Sequence, residues 1–274
     1  MKAFNHTHLL RLMGTMLLSA VLISTAGISA AQSFDQTYAD YEGVLKATVT
    51  DGRVNYKGLK AAPRTLDRYL DSAAGVSEAQ FNTWAESQRL VFLTNLYNAA
   101  TLRLILDHYP VETIKDIGSI FKGPWDQPVV RLFGKVITLN NLEHDIIRKQ
   151  YDEPRIHMAL VCAAKGCPVL RSDAYLPEKL NDQLDEQSRQ YLSSSAGLRI
   201  DRQAGVVYFS SIFKWYGEDF LGKYSPAEGF AGIKKTQQAV ANFCSGYLSV
   251  ADADYLAAGG YSVKYLGYDW SLNE

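Results

Sequence analysis

Residues 89–106, RLVFLTNLYNAATLRLIL, decide the fold. Wound as a helix, this stretch carries apolar side chains on every face, and such a helix lies in the middle of a domain. Pro110 forbids its continuation, having no N–H and a ring that clashes with the preceding turn. His108 near the end suits the negative pole of the helix dipole. Asn95 and Asn98 lie three apart, on neighbouring parts of one face. Buried amides need hydrogen-bond partners. Both are therefore candidate binding residues, and the preferred reading is that they fix how a loop crosses the helix.

The pattern can be followed outward in both directions. Upstream, Phe34, Tyr38, Tyr41 and Leu45 recur at helical spacing. Asp51-Gly52 is a turn before an extended piece, 53–56, and Pro63 can start a helix carrying Leu66, Tyr69 and Leu70. Ser77 with Gln80 reads as a capping box. Downstream, 129–133 and 136–138 flank Gly134-Lys135 as a hairpin. Asn140 and Glu143 read as a second capping box, opening the helix that carries His144. Residues 155–162, RIHMALVC, are short, apolar and bounded by turn signals, which predicts a buried strand. Pro177 opens a helix with Leu180, Leu184, Gln187 and Tyr191 on one face. A hairpin follows at 198–201 and 206–210. One helix then holds Ile212, Phe213, Tyr216 and Phe220, another spans about 228–248, and 261–266 is a last strand. No linker or repeat divides the chain. The expectation is one α+β domain, 32–274, with helices around a small mostly antiparallel sheet and 89–106 as the buried central helix.

The N-terminus reads differently. Lys2 and Arg11 precede or enter an apolar, nearly uncharged run, 12–28, followed by Ser29-Ala30-Ala31. Basic, apolar and small segments in that order build an export signal, predicted to be cleaved after Ala31. The run is too interrupted by Gly14, Thr15, Ser19, Ser24 and Thr25 to read as a membrane anchor. Cleavage removes two cations and no acid, leaving 26 Lys and Arg against 29 Asp and Glu. No basic stripe suggests nucleic acid, and no second apolar span suggests a transmembrane segment. A periplasmic or secreted location is expected. His6 and His8 leave with the signal, so His- or Cys-based chemistry must use His108, His144, His157, Cys162, Cys167 or Cys244.

Three blocks, FLTNLYNAATLRLIL, TLNNLEHDIIR and RIHMALVCAAKGCPVL, in this order and spacing, resemble the family called domain of unknown function 547. The segments DGRVNYKGLKAAPRTLDRYL, SSIFKWYGEDF and YDWSLN resemble extensions of exported bacterial members, so the resemblance runs over about 40–274, with a family-like core at 89–220. It implies no activity that can be carried over. It directs attention to Asn95, Asn98, Glu143, His144, His157, Cys162, Cys167 and Pro168, which stand in the matching blocks.

A cysteine nucleophile needs a thiolate, a histidine and a group to orient that histidine. Cys162 or Cys167, His157 or His144, and Glu143, Asn98 or Asp269 supply the types, making Cys162, Cys167, His144, His157 and Glu143 the catalytic candidates for a cell-envelope hydrolase or acyl transferase. Strand alternation would put His157 and Cys162 on opposite faces. Glu143 and His144, adjacent on a helix, would not face each other. The preferred reading is a Cys162–Cys167 disulfide, which an oxidising compartment favours, stapling a structural or ligand-binding core. A dithiol that cycles is a third reading, although the spacing is not Cys-x-x-Cys. Zinc on these Cys and His residues matches no ligand spacing, and no phosphate or dinucleotide loop occurs. No metal and no cofactor are expected. Cys244 reads as core. Tyr261, Tyr265, Tyr268 and Trp270 crowd the C-terminus and could stack on an envelope ligand or pack a strand.

Overall fold

The computed structural model describes residues 33–119 and 121–274, and Phe34–Glu274 form one compact unit. The expected export signal lies outside the described residues. The chain is α+β. Its centre is a helix rather than a sheet.

In chain order, α1 (Ala39–Thr48) leads into a two-stranded ribbon of β1 (Val49–Thr50) and β2 (Arg53–Val54), then α2 (Tyr56–Ala61), α3 (Arg64–Ala74) and α4 (Glu78–Asn82). These pack on α5 (Glu86–His108), whose residues Leu90 to Leu102 are all buried. Each fully buried Leu or Phe of such a helix contributes roughly 1.5–3 kcal/mol. Tyr41 stacks on Tyr69 at 4.9 Å, and Phe34 meets Phe92 edge-on at 5.1 Å. Tyr38 has φ 56°, so α1 begins at Ala39 and Phe34, the first residue of the expected helical spacing, lies outside it. Ser77 accepts from the Gln80 N–H, one half of the expected capping box.

The hairpin of β3 (Val130–Leu132) and β4 (Lys135–Ile137) turns at Phe133-Gly134, not Gly134-Lys135. Both turn residues have positive φ, 53° and 73°, the requirement of a type I′ turn. The next helix opens as a π-helix, Asn141–Ile147, and continues as α6 (Arg148–Gln150). Its start is secured by Thr138 and Asn141, which exchange side-chain to backbone hydrogen bonds of 3.0 and 3.2 Å. The Asn140–Glu143 box is not formed.

The predicted strand at 155–162 is instead a 3-10 helix, Pro154–Met158, followed by irregular backbone. The apolar run has another cause. Ile156, Ala159, Leu160 and Val161 enter the core around α5, while Met158 enters a second core. A segment pinched between two cores is apolar on both sides without belonging to a sheet.

That second core is built by α7 (Leu180–Ser193), the sheet of β5 (Leu198–Asp201), β6 (Val206–Phe209) and β7 (Ser262–Tyr265), and helices α8 (Ser211–Tyr216), α9 (Leu221–Tyr224), α10 (Lys235–Ser245) and α11 (Val250–Ala258). β5 pairs antiparallel and β7 parallel with β6. The single helix expected over 228–248 is shorter, because Gly229 and Gly232 take φ of 83° and 86°. Ser249 caps a separate α11 that the sequence reading did not include.

After β7 the chain crosses back as a strap. Asn273 N–H bonds Ala163 O at 3.0 Å, Lys165 N–H bonds Ser271 O at 2.9 Å, and Gly166 N–H bonds Asp269 O at 2.8 Å. A Cβ on Gly166 would stand 2.8 Å from the Asp269 nitrogen, so only glycine lets the strap close on this loop. Among the described residues no helix is long and apolar enough to cross a membrane.

Candidate active site

Where the two cores meet, a cavity of about 230 Å³ opens. Glu143, His144, His157, Cys162 and Cys167 all line it. The expected separation of His157 from Cys162 therefore does not hold, because the 3-10 turn replaces strand alternation. Glu143 and His144 both reach the cavity from the π-helix, with Glu143 Oε1 3.9 Å from His144 Nδ1.

The thiols are reached through a chain of constraints. Asn98 on α5 donates to Ala159 O and accepts from the Val161 N–H, each at 2.9 Å. This fixes the backbone immediately before Cys162. Ala163, just after it, sits at φ 59°, a conformation an L-residue rarely holds without outside support; the strap's bond to Ala163 O supplies some. Asn95 makes a similar pair with Tyr175, donating to its O at 2.9 Å and accepting from its N–H at 3.1 Å. Both amides are thus spent on backbone, and neither lines the cavity.

The expected Cys162–Cys167 disulfide is not formed. Both are free thiols, with sulfurs 2.7 Å apart, beyond the bond length of about 2.05 Å. The Tyr268 hydroxyl stands 3.0 Å from Cys162 Sγ, and the Cys162 N–H donates to Cys167 Sγ at 3.0 Å. Burial alone would push the Cys167 thiol up. The Cys162 thiol, the nearby Tyr268 hydroxyl and the Cys162 N–H outweigh it and bring Cys167 below the ordinary thiol value. Cys162 moves the opposite way, first through donating to Cys167 and then through burial. The two opposite shifts agree with Cys162 as the donor and Cys167 as the acceptor of the sulfur pair. Cys244 is remote in the second core, buried, and pushed up by that burial.

The histidines are held by residues that sequence reasoning missed. His157 Nε2 donates to Asp219 Oδ2 at 2.7 Å and stacks on Tyr216 at 4.3 Å. Arg148 grips the same carboxylate at 2.6 and 2.8 Å and gives a third bond, 2.9 Å, to His144 Nδ1. Arginine only donates, so that nitrogen accepts and a neutral His144 carries its proton on Nε2. Burial raises the Asp219 carboxyl, but the bonds from His157 and Arg148 prevail and hold it well below the usual carboxylate range. Asp269, a predicted orienter, bonds Ser271 instead. Among the described residues no imidazole hydrogen-bonds a thiol.

Aromatic rings form most of the remaining wall, Tyr97, Trp125, Trp215, Tyr216, Tyr268 and Trp270, with Asn140, Leu160 and Ile212 between them. Tyr268 and Trp270 pack at 4.5 Å, and Trp125 meets Trp270 edge-on at 5.8 Å. Of the C-terminal aromatics singled out by the sequence, Tyr268 and Trp270 reach the cavity. Tyr261 is buried in the second core, and Tyr265 belongs to β7. Trp125 carries no pattern to find it by, and Trp215, although it stands in the segment SSIFKWYGEDF, was not singled out. Among the described residues no three His, Cys, Asp or Glu side chains group as a metal site.

Fold and site define an α+β protein with a dithiol in an aromatic-walled cavity. The model of a family described as protein of unknown function, DUF547, matches residues 81–192, and the chain resembles that family there. The match includes the thiols, Glu143 and both histidines, and is narrower than the 40–274 expected. No curated protein and no solved structure matches the chain.

Proposed function

We propose that this is a thiol-active protein whose Cys162 and Cys167 exchange disulfides with a small ligand held in the cavity. The observation that carries this reading is the convergence of donors on Cys167 Sγ beside a second thiol. A thiolate attacks disulfides, and a neighbouring thiol resolves the mixed product. In the forward direction Cys167 attacks one sulfur of the ligand disulfide, and the other leaves as a thiolate. Cys162, losing its proton, then attacks Cys167 Sγ and expels the second half. The ligand gains two electrons and the pair becomes the disulfide, so the staple expected from sequence is one state of the cycle.

The runner-up, acyl transfer by a Cys/His pair, draws support from the two histidines in the same cavity. It is weakened by their hydrogen bonds, which point to Asp219 and Arg148 rather than to sulfur. An export signal at 1–31, ahead of a single domain at 32–274, agrees with this function, since an oxidising compartment supplies disulfides.

The test is alkylation of the native, reduced protein across pH, with labelled cysteines mapped by mass, beside equilibration in glutathione redox buffers. The expected result is Cys167 labelled first and a Cys162–Cys167 bond that forms and breaks reversibly. Native protein in which neither thiol reacts would sink the proposal.

A further inference from the structure

We infer that the cavity selects ligands bearing an ammonium group, with Glu143 as counter-ion and the aromatic wall as the cage around the cation. This rests on the thiol reading only where it names the substrate class, an amine-bearing disulfide; the cation site itself needs no thiol chemistry.

Glu143 is the starting point. Its side chain is only 9% exposed and lines the cavity. Tyr97 donates to its Oε2 at 2.9 Å, and no Lys or Arg among the described residues forms an ion pair with it. His144 Nδ1, at 3.9 Å, accepts from Arg148 and so donates nothing to the carboxylate. Arg148 lies within electrostatic reach of Glu143, but its hydrogen bonds go to Asp219 and His144; the Tyr216 hydroxyl, like that of Tyr97, reaches the carboxylate without bringing charge. A buried carboxylate without a cation is costly, and here the open side of the group is the cavity.

The wall has the matching chemistry. The faces of Trp and Tyr rings attract ammonium groups; Tyr216 touches Glu143, and Trp215 and Trp270 line the same cavity. Trp270 already carries one cation: Lys115 Nζ, from a residue that does not line the cavity, lies 3.6 Å from its ring centroid. The cavity, about 230 Å³, is smaller than the roughly 300–1,000 Å³ of common ligand sites, which suits a small amine or the amine end of a longer chain. There is also a consequence for the sulfur. The Glu143 charge disfavours the Cys167 thiolate, so a bound ammonium that neutralises it raises the thiolate fraction.

The experiment has two arms. In the first, the intact reduced protein is titrated with butylammonium and with n-butanol, followed by tryptophan fluorescence and calorimetry. Butylammonium should saturate at about tenfold lower concentration than butanol, and Glu143→Gln should erase the margin. Equal affinities for the two probes in the unaltered protein overturn the inference whether or not the variant folds. A margin that survives in folded Glu143→Gln also overturns it. In the second arm, the rates of Cys167 with cystamine, hydroxyethyl disulfide and dithiodipropionate are compared, each relative to a free thiol. Cystamine should lead by about tenfold. If none reacts while butylammonium still binds, the thiol reading fails and the cation site stands. If all react without preference for the cation, the reverse holds.

Discussion

The two cores hold the same cavity in different ways. The core around α5 grips the thiol segment through Asn98, a buried side chain whose amide satisfies a backbone C=O and a backbone N–H. The second core offers Tyr216 and Asp219 from the end of α8 and the turn beyond it. Through β7 it launches the strap, which brings Tyr268 and Trp270. The family match at 81–192 takes in the sulfurs, the acid and the imidazoles but stops before these walls. The difference separates two jobs. Sulfur geometry depends on buried hydrogen bonds from α5, whereas Tyr216, Tyr268 and Trp270 come from the second core and the strap.

The harshest way to probe this is on α5. Asn98→Ala leaves Ala159 O and Val161 N–H without partners, and each buried orphan costs about 1–3 kcal/mol. A loss of roughly 2–6 kcal/mol by urea unfolding is expected, together with a changed rate of Cys167 alkylation. Asn95→Ala strips the same kind of bonds from Tyr175 and should cost as much in stability while leaving the alkylation rate alone. If both variants alter the thiol equally, the amides act only through global stability and the contrast between the cores fails.

A gentler probe lies in the second core. The folded Asp219 carboxyl is held below its ordinary value of about 4. Its contribution to stability is therefore full above the unfolded value and is lost as pH falls through the folded one. Melting temperature should drop from about pH 4 downward, and Asp219→Asn should drop less over that window. Parallel curves would show that Asp219 is not what ties His157 and Arg148 to the fold. Smaller still is Tyr268→Phe, which removes one hydroxyl at a cost of about 0.5–1.5 kcal/mol. Losing its bond should raise the Cys167 thiol and slow alkylation near neutral pH, read as a rightward shift of the rate–pH profile. An unshifted profile would remove the strap from the chemistry.

Why the two cores were unequally legible follows from their physics. The helix α5 announced itself because an all-apolar stretch of that length ended by Pro110 has few other solutions. Hairpin β5–β6 was visible through alternation around Gly205. The candidate thiols, histidines and Glu143 were chosen by residue type, and the cavity brings them together. Their geometry was misread at 155–162, because an apolar run records burial on both sides and does not distinguish a sheet from a segment trapped between cores. The π-helix at Asn141–Ile147 likewise defeats reasoning from ordinary helical spacing. Asp219 and Arg148 were missed altogether. Seventy-one residues separate them, each has the look of a solvent-facing charge, and only packing makes them partners of two histidines.

The mildest expected effect concerns the seam through which the first core reaches the strap. Thr113 bridges Ser271, and the Leu272 N–H donates to Glu112 O at 2.8 Å, so backbone alone joins residues 112–113 to the C-terminus. Lys115 adds a side-chain contact on Trp270, and an exposed cation–π pair is worth about 0.5–1 kcal/mol. Lys115→Ala should lower stability by no more than that and shift tryptophan emission to the red as the ring meets water, with Cys167 alkylation unchanged. The backbone bonds remain, so Tyr268 keeps its place over the sulfurs even when the outer face of Trp270 is bare. A slowed thiol in Lys115→Ala would mean that the wall and the sulfurs move together, and that the strap is as integral to the site as Asn98.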